Sequence, residues 1–252
     1  MGCPFPQTIT RPPWPGMHPK QPGQFYDTKR REQRVELSVP CGKCLSCASY
    51  RASQWSIRAY HEAQLHDKNC FITLTYDEEH LPSDGKVNPQ HLSQFWRDLR
   101  HSLPPRSIRY LACGEYGERT HRPHYHALIF GADFRGDSKP LREGFYTSPS
   151  VEEKWGHGLV DISSVTMATC CYVAGYVQKK INNPDTFFRQ SLKPGIGHGW
   201  LDKYEDEIRA HGCVVIDGVK LPIPKKYMEW QDFDDIKLAS ALTVKPKKVS
   251  QR

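Results

Sequence analysis

No stretch of this 252-residue sequence is apolar over the length of a bilayer span, and the opening MGCPFPQTITRPPWPG lacks the apolar run and cleavage site of a secretory leader. These absences predict a soluble, intracellular protein. Internal repeats are also missing, which argues against stacked repeat architectures. Hydrophobic residues are only 38% of the chain, enough for one sizeable core with extensions but thin for two full domains. Acid is in deficit, and the formal charge of +7 favours a phosphate-rich partner without identifying one.

Residues 1–40 are rich in proline and basic side chains, and Pro12, Pro13, Pro15, Pro19 and Pro22 predict an extended arm. Residues 46–66 place Tyr50, Trp55, Ala59 and Ala63 at helical spacing between Arg and Gln residues read as exposed. Residues 70–76 alternate as a strand. Asn88 and Pro89 open a second helix with Leu92, Phe95, Trp96 and Leu99 on one face. Strands at 107–114 and 124–130 flank a turn-prone segment and suggest a long-looped hairpin. A loop (131–149), a short helix (150–155), a strand (158–164) and a helix (166–181) follow. Beyond 182 the pattern weakens to a loop around Pro194, a hairpin about Asp217 and Gly218, and a basic tail at 245–252.

Nine cysteines is many for a chain without a secretory leader, and Cys41, Cys44 and Cys47 are clustered, which points to metal rather than disulfides. Three thiolates need a fourth ligand for a tetrahedral structural zinc, and Cys3 is the natural candidate. Cys70, Cys113, Cys170, Cys171 and Cys213 read as small buried residues.

Within Arg122-Pro-His-Tyr-His-Ala-Leu-Ile-Phe130, His124 and His126 stand two apart on a strand and point the same way, so their imidazoles can share one ion. An isolated His-x-His recurs by chance. A third ligand changes its weight: Glu115, nine positions upstream, can be brought beside the histidines by a hairpin, with Glu118 as the rival. Two histidines and a carboxylate leave positions open for magnesium or manganese and a phosphate oxygen. Tyr172 and Tyr176 lie four apart on one helical face, with Lys179 and Lys180 one turn on. Phenols need an adjacent cation or a metal-polarised phosphate to act as nucleophiles near neutral pH. Arg30, Arg31, Arg34, Arg51, Arg58, Arg189 and Lys193 are candidates to track phosphates, none assigned individually.

The order of three blocks, Phe71-Ile-Thr-Leu-Thr-Tyr76, then Gly114-Glu-Tyr-Gly with Arg122-Pro-His-Tyr-His126, then Tyr172-Val-Ala-Gly-Tyr-Val-Gln-Lys-Lys180, resembles motifs one to three of the HUH endonucleases. It is most similar to the two-tyrosine rolling-circle replication initiators of the microviruses, gokushovirus-like single-stranded DNA phages. The likeness runs from about residue 41 to 197. It implies an α+β fold, with a central antiparallel sheet flanked by helices (a ferredoxin- or RRM-like core) and a Cys-rich N-terminal extension. The implied division is an arm and Cys cluster at 1–47, a nickase domain at 48–200 and an extension at 201–252 with hairpin, helix and basic tail.

The resemblance further implies a site-specific DNA nickase and strand-joining enzyme. His124, His126 and Glu115 match its metal ligands, and Tyr172 and Tyr176 its nucleophiles. Its partners would be single-stranded DNA, the replicative-form duplex origin, and host helicase and polymerase, in the cytoplasm of a bacterial host and away from membranes. Relatives often carry a lysine where this chain has Gly175, leaving Lys179 or Lys180 to supply the cation. Relaxases and transposases share the histidine motif, and a non-catalytic zinc-containing nucleic-acid-binding module is a second alternative. A histidine-triad hydrolase is disfavoured by Leu128 at the third alternate position.

Overall fold

The computed structural model describes residues 3–11, 24–27, 32–104, 108–117, 119–182, 185–231 and 233, with side chains omitted at 11, 24–27, 32–35 and 177–182. Pro12, Pro13, Pro15, Pro19, Pro22, Arg30, Arg31, Glu118 and the tail at 245–252 lie outside the described residues. So do the side chains of Arg34, Lys179 and Lys180. Contacts divide the chain into two units, Met1–Arg51 and Ala52–Arg252.

In the first unit the extended arm expected at residues 1–40 contains three strands paired with one another. Strand β1 (Gln7–Arg11), β2 (Gln24–Asp27) and β3 (Glu32–Val39) form an antiparallel sheet in the order β1-β3-β2. The prolines that suggested an arm fall between β1 and β2, whereas Thr8, Ile9 and Thr10 suit the ladder they form with Ser38, Leu37 and Glu36. Helix α1 (Leu45–Ala63) begins within the Cys cluster and carries Cys47 in its first turn.

In the second unit, β4 (Asn69–Tyr76), α2 (Pro89–His101), β5 (Arg109–Tyr116) and β6 (Pro123–Phe130) follow. Helix α2 starts where expected: the Asn88 side chain accepts the Gln90 N–H, and Pro89 occupies the first turn. The expected loop at 131–149 instead contains β7 (Lys139–Arg142) and β8 (Phe145–Thr147). All four β7 residues are exposed, so no apolar alternation announced the strand. Then come α3 (Pro149–Trp155), β9 (Gly158–Ser163), α4 (Met167–Asn182), β10 (Phe187–Gln190), α5 (His198–His211), β11 (Val214–Ile216), β12 (Val219–Leu221) and α6 (Lys225–Trp230). Among the described residues no helix is long and apolar enough to cross a membrane.

Seven strands form one antiparallel sheet, β10-β5-β6-β4-β9-β8-β7, which establishes the α+β class. Strand alternation sends Ile72, Leu74, Tyr76, Tyr125, Ala127 and Ile129 to one face, against Leu92, Phe95, Trp96 and Leu99 of α2 and Trp155 of α3. The other face carries Phe71, Leu111, Leu128 and Phe130 against Ala59 of α1 and Cys170 and Val173 of α4. A third cluster joins Ile57 of α1 to Trp200, Leu201 and Ile208 of α5 and Tyr227 of α6.

That third cluster corrects the reading of α1. Gln54 and Arg58 are buried, not exposed. The Arg58 guanidinium lies over Trp55 and Trp230, and its Nε donates to the Ile196 carbonyl, so it is not a phosphate-tracking residue. Cys171 is a further correction: it is exposed, while Cys70, Cys113, Cys170 and Cys213 are buried. Cys170 turns to the sheet, and the 100° step of the helix carries Cys171 away from it.

Candidate active site and metal centres

Register builds the first site. In the β5–β6 hairpin Glu115 stands directly opposite His124 and Cys113 opposite His126, so Glu115 and both histidines project from one face. Strand β4 completes the frame from the other side, pairing Thr73 with His126 and Thr75 with His124. Glu115 Oε1 lies 3.0 Å from His124 Nε2 and 3.1 Å from His126 Nε2. One ligand atom from each of the three residues falls within 4.8 Å of the others.

The donor set fits a divalent cation. His124 Nδ1 is 3.1 Å from the Arg122 carbonyl, to which Nδ1–H donates, and His126 Nδ1 is 2.9 Å from Thr73 Oγ1. With the proton on Nδ1 in both rings, each Nε2 lone pair is turned toward the Glu115 carboxylate. Such outer partners fix tautomer and orientation at metal-binding histidines. Glu115 is only 4% exposed, and a cation between the three groups would compensate its buried charge.

Helix α4 packs over this face, and its two candidate phenols meet His126 in different ways. Tyr172 is 49% exposed, with its hydroxyl 3.3 Å from His126 Nε2 and its ring edge-on to Phe71. Tyr176 is 5% exposed and stacks on His126 with centroids 5.5 Å apart. Burial, then hydrogen bonds with Glu115 and Tyr172, raise the Tyr176 phenol well above its ordinary pKa. The two rings stand edge to face at 5.1 Å. Ligand candidates and phenols thus share one face of the sheet. The backbone at Lys179 and Lys180 continues α4, and their side chains lie outside the described residues.

Thr73 was not singled out from sequence. The available signal was the pair of hydroxyls at Thr73 and Thr75, which break the apolar run on one face of a strand whose other face is wholly buried.

The second site lies in the first unit. Cys3, Cys41, Cys44 and Cys47 gather their sulfurs within 4.8 Å of one another. Cys3 Sγ is 3.7 Å from Cys44 Sγ, and Cys41 Sγ is 4.0 Å from Cys47 Sγ. Tetrahedral geometry with Zn–S bonds of about 2.3 Å requires sulfurs about 3.8 Å apart, whereas a disulfide requires about 2.05 Å. Backbone N–H groups point at the sulfurs: Cys41 N–H donates to Cys3 Sγ at 3.3 Å and Cys44 N–H to Cys41 Sγ at 3.4 Å. Gly42, at φ 74°, gives the turn its left-handed step, and the Arg51 guanidinium donates to its carbonyl. The backbone N–H groups of Lys43 and Cys44 lower the Cys41 thiol to about 6, while desolvation pushes Cys47 up to about 12. Sulfurs so crowded ionise together only with a cation among them.

The family profile described as replication-associated protein ORF2/G2P matches residues 69–181, the segment from β4 to α4. Replication-associated protein VP4 of Bdellovibrio phage phiMH2K is 37% identical over 231 residues, covering 81% of this chain and 71% of that protein. Replication-associated protein ORF2 of Spiroplasma virus 4 is 32% identical over 225 residues, covering 79% and 70%. Replication-associated protein ORF4 of Chlamydia phage 1 is 32% identical over 223 residues, covering 81% and 56%. No solved structure matches the chain. The motif resemblance therefore holds at the level of the family: the chain belongs to the phage replication-associated proteins of the ORF2/G2P type.

Proposed function

We propose that this protein is an HUH-type DNA nickase and strand-joining enzyme that initiates rolling-circle replication. One observation carries the reading: the Tyr172 hydroxyl stands 3.3 Å from Nε2 of His126, a member of the Glu115, His124 and His126 group. Residues 48–200 form the nicking region in this reading, and Cys3, Cys41, Cys44 and Cys47 hold a structural zinc. Magnesium or manganese, held by Glu115, His124 and His126, would withdraw charge from the scissile phosphodiester.

Tyr172 is the first nucleophile, because its phenol is exposed to an arriving strand while Tyr176 is buried beneath it. Its oxygen bonds to phosphorus as the bond from phosphorus to the 3′ oxygen breaks. The phenol gives up a proton, the departing 3′ oxygen takes one up, and the DNA is left with a 5′ phosphotyrosine and a free 3′ hydroxyl. One phosphoester replaces another, so joining is the reverse step and needs no ATP. Tyr176 attacks the regenerated origin in the second cycle, and Lys179 or Lys180 supplies positive charge nearby. The partners are single-stranded and origin duplex DNA, with host helicase and polymerase, in the bacterial cytoplasm that relatives from phages imply.

With manganese and an origin-containing single strand, a first-turnover peptide adduct is expected on Tyr172. Tyr172→Phe should lower first-turnover cleavage at least 100-fold, and the double Tyr172→Phe/Tyr176→Phe variant should form no adduct. EDTA should stop cleavage and manganese restore it. Undiminished cleavage by the double variant would falsify the mechanism.

A further inference from the structure

We propose that a cavity at the end of the seven-stranded sheet away from the metal ligands holds one nucleotide of single-stranded DNA, its phosphate on Arg100 and Lys193 and its base beside Gln190. The choice of DNA rests on the reading above, and the cavity itself takes no part in cleavage.

The first argument is place and size. The cavity measures about 890 Å³ and opens where β5 begins, β10 ends and the C-terminal ends of α1 and α2 come together. Tyr110 lines it, whereas Glu115 lies five residues further along β5, about 17 Å away at the rise of a strand. That volume suits a ligand of nucleotide size rather than a lone anion.

The second argument is charge. Arg100, Arg109 and Lys193 line the cavity against a single acid, Glu62. Glu62 is already satisfied: Arg109 Nε donates to its Oε1 at 2.5 Å, and the Gly197 N–H donates to its Oε2 at 2.7 Å. Arg109 Nη2 also donates to the Pro194 carbonyl at 2.7 Å, which ties the segment carrying Lys193 to β5. Arg100 and Lys193 are exposed and have no ion-pair partner among the described residues. Arg100 is nonetheless held in place, with its guanidinium 5.4 Å from the centroid of Tyr110, which in turn stacks on Trp96 at 4.3 Å. Two uncompensated cations at one mouth, one of them fixed, complement a phosphate group.

The third argument is the rest of the lining. Leu65, Ile108 and Leu192 supply apolar surface for the faces of a base. Ser191 Oγ accepts the Tyr110 N–H at 3.1 Å, which leaves its O–H to donate. The Gln190 carboxamide makes no side-chain hydrogen bond among the described residues, and it offers the donor and acceptor that a base edge takes up. Lys193 thereby gains a role that sequence spacing alone did not assign.

The test uses the full chain in the Tyr172→Phe/Tyr176→Phe background, so that binding is read without strand exchange. Two probes separate the sources of a nucleotide: a fluorescein-labelled, mixed-sequence single strand of 20 nucleotides followed by anisotropy, and deoxyadenosine monophosphate followed by calorimetry. Arg100→Ala/Lys193→Ala should weaken strand binding at least fivefold. The log–log salt slope should flatten by about 0.7 to 1.4, the share of one or two phosphates on a single strand. Gln190→Ala should weaken strand binding at least threefold with an unchanged salt slope, since it removes a base contact and no charge. A control replacing Lys139 and Lys203 by Ala, both exposed elsewhere in the second unit, should keep affinity within twofold.

Unchanged strand affinity in the Arg100/Lys193 variant or in Gln190→Ala would overturn the proposal, as would equal weakening by the control. Monophosphate binding that these variants abolish, with the strand unaffected, would overturn the assignment to DNA. If the wild-type chain forms its Tyr172 adduct while the Arg100/Lys193 variant binds as tightly as its parent, the nickase reading stands and this one fails. If that variant loses affinity as expected and the wild-type chain forms no adduct, the reverse holds.

Discussion

Gly175 stands between the two phenols, and a Cβ built on it meets nothing within 4 Å. Glycine in a helix interior costs about 1 kcal/mol relative to alanine. Gly175→Ala should therefore raise the melting temperature by about 2 to 4 °C, read by circular dichroism, for a chain of this size. If the glycine is kept so that DNA can approach closely, the same variant will cleave more slowly while melting higher. Thr73 makes a second residue-scale prediction. Thr73→Val keeps the shape but removes the oxygen that holds His126 Nδ1, and manganese affinity should fall 10- to 100-fold by calorimetry. Unchanged affinity would mean that His126 is oriented by packing alone.

Helices α1, α5 and α6 enclose a histidine whose protonation is linked to folding. His61 is buried, its ring stacks on Trp200 at 3.5 Å, and its Nδ1 lies 3.0 Å from the Tyr227 hydroxyl. Among the described residues its Nε2 has no hydrogen-bond partner. Desolvation lowers its pKa from 6.5 to about 3. Between those values the unfolded chain binds a proton that the folded chain refuses. The stabilising contribution is thus complete above about pH 6.5 and is lost as pH falls toward about 3. About 2 kcal/mol should disappear between pH 6.5 and pH 5. His61→Phe should flatten that part of the melting-temperature profile; an unaltered acid slope would assign it to other groups.

These same helices mark where the sequence stopped being legible. The β5–β6 hairpin could be read because His124, His126 and Glu115 interrupt otherwise apolar strands at fixed spacing. Helix α4 could be read because its apolar positions keep one period. Helix α5 was harder to read, since Gly195, Gly197 and Gly199 crowd its start and the backbone leaves helical geometry at Tyr204 (φ −124°), although Trp200, Leu201, Tyr204 and Ile208 keep helical spacing. A helix was expected within 201–252, but nothing in its sequence showed that α5 and α6 pack on α1, so Arg58 and Gln54 had no evident reason to be buried. Strand β10 is four residues long, too short for alternation to stand out from a loop. The unequal burial of Tyr172 and Tyr176 was equally hidden, because a spacing of four fixes a shared face and says nothing of depth.

At the scale of the whole molecule, the four-cysteine group lies in residues 1–51, and the histidine and tyrosine groups lie in the rest. If zinc folds the first unit, stripping it with a chelator should open only that part to trypsin. Intact-mass analysis should then show losses confined to the first 51 residues or so, while the segment carrying the seven-stranded sheet survives. Cleavage spread evenly along the chain would show that the metal holds more than its own unit.

The seven-stranded sheet ends on β7 at one side and β10 at the other. Strand β7 carries exposed Lys139 and Pro140, while its Arg142 reaches back to Asp161 of β9, and β10 carries exposed Arg189. Proline withholds an N–H from any newcomer strand, and like charges meeting across two such margins repel. Among the described residues, charge and proline at the two sides of the sheet therefore disfavour edge-to-edge pairing between molecules.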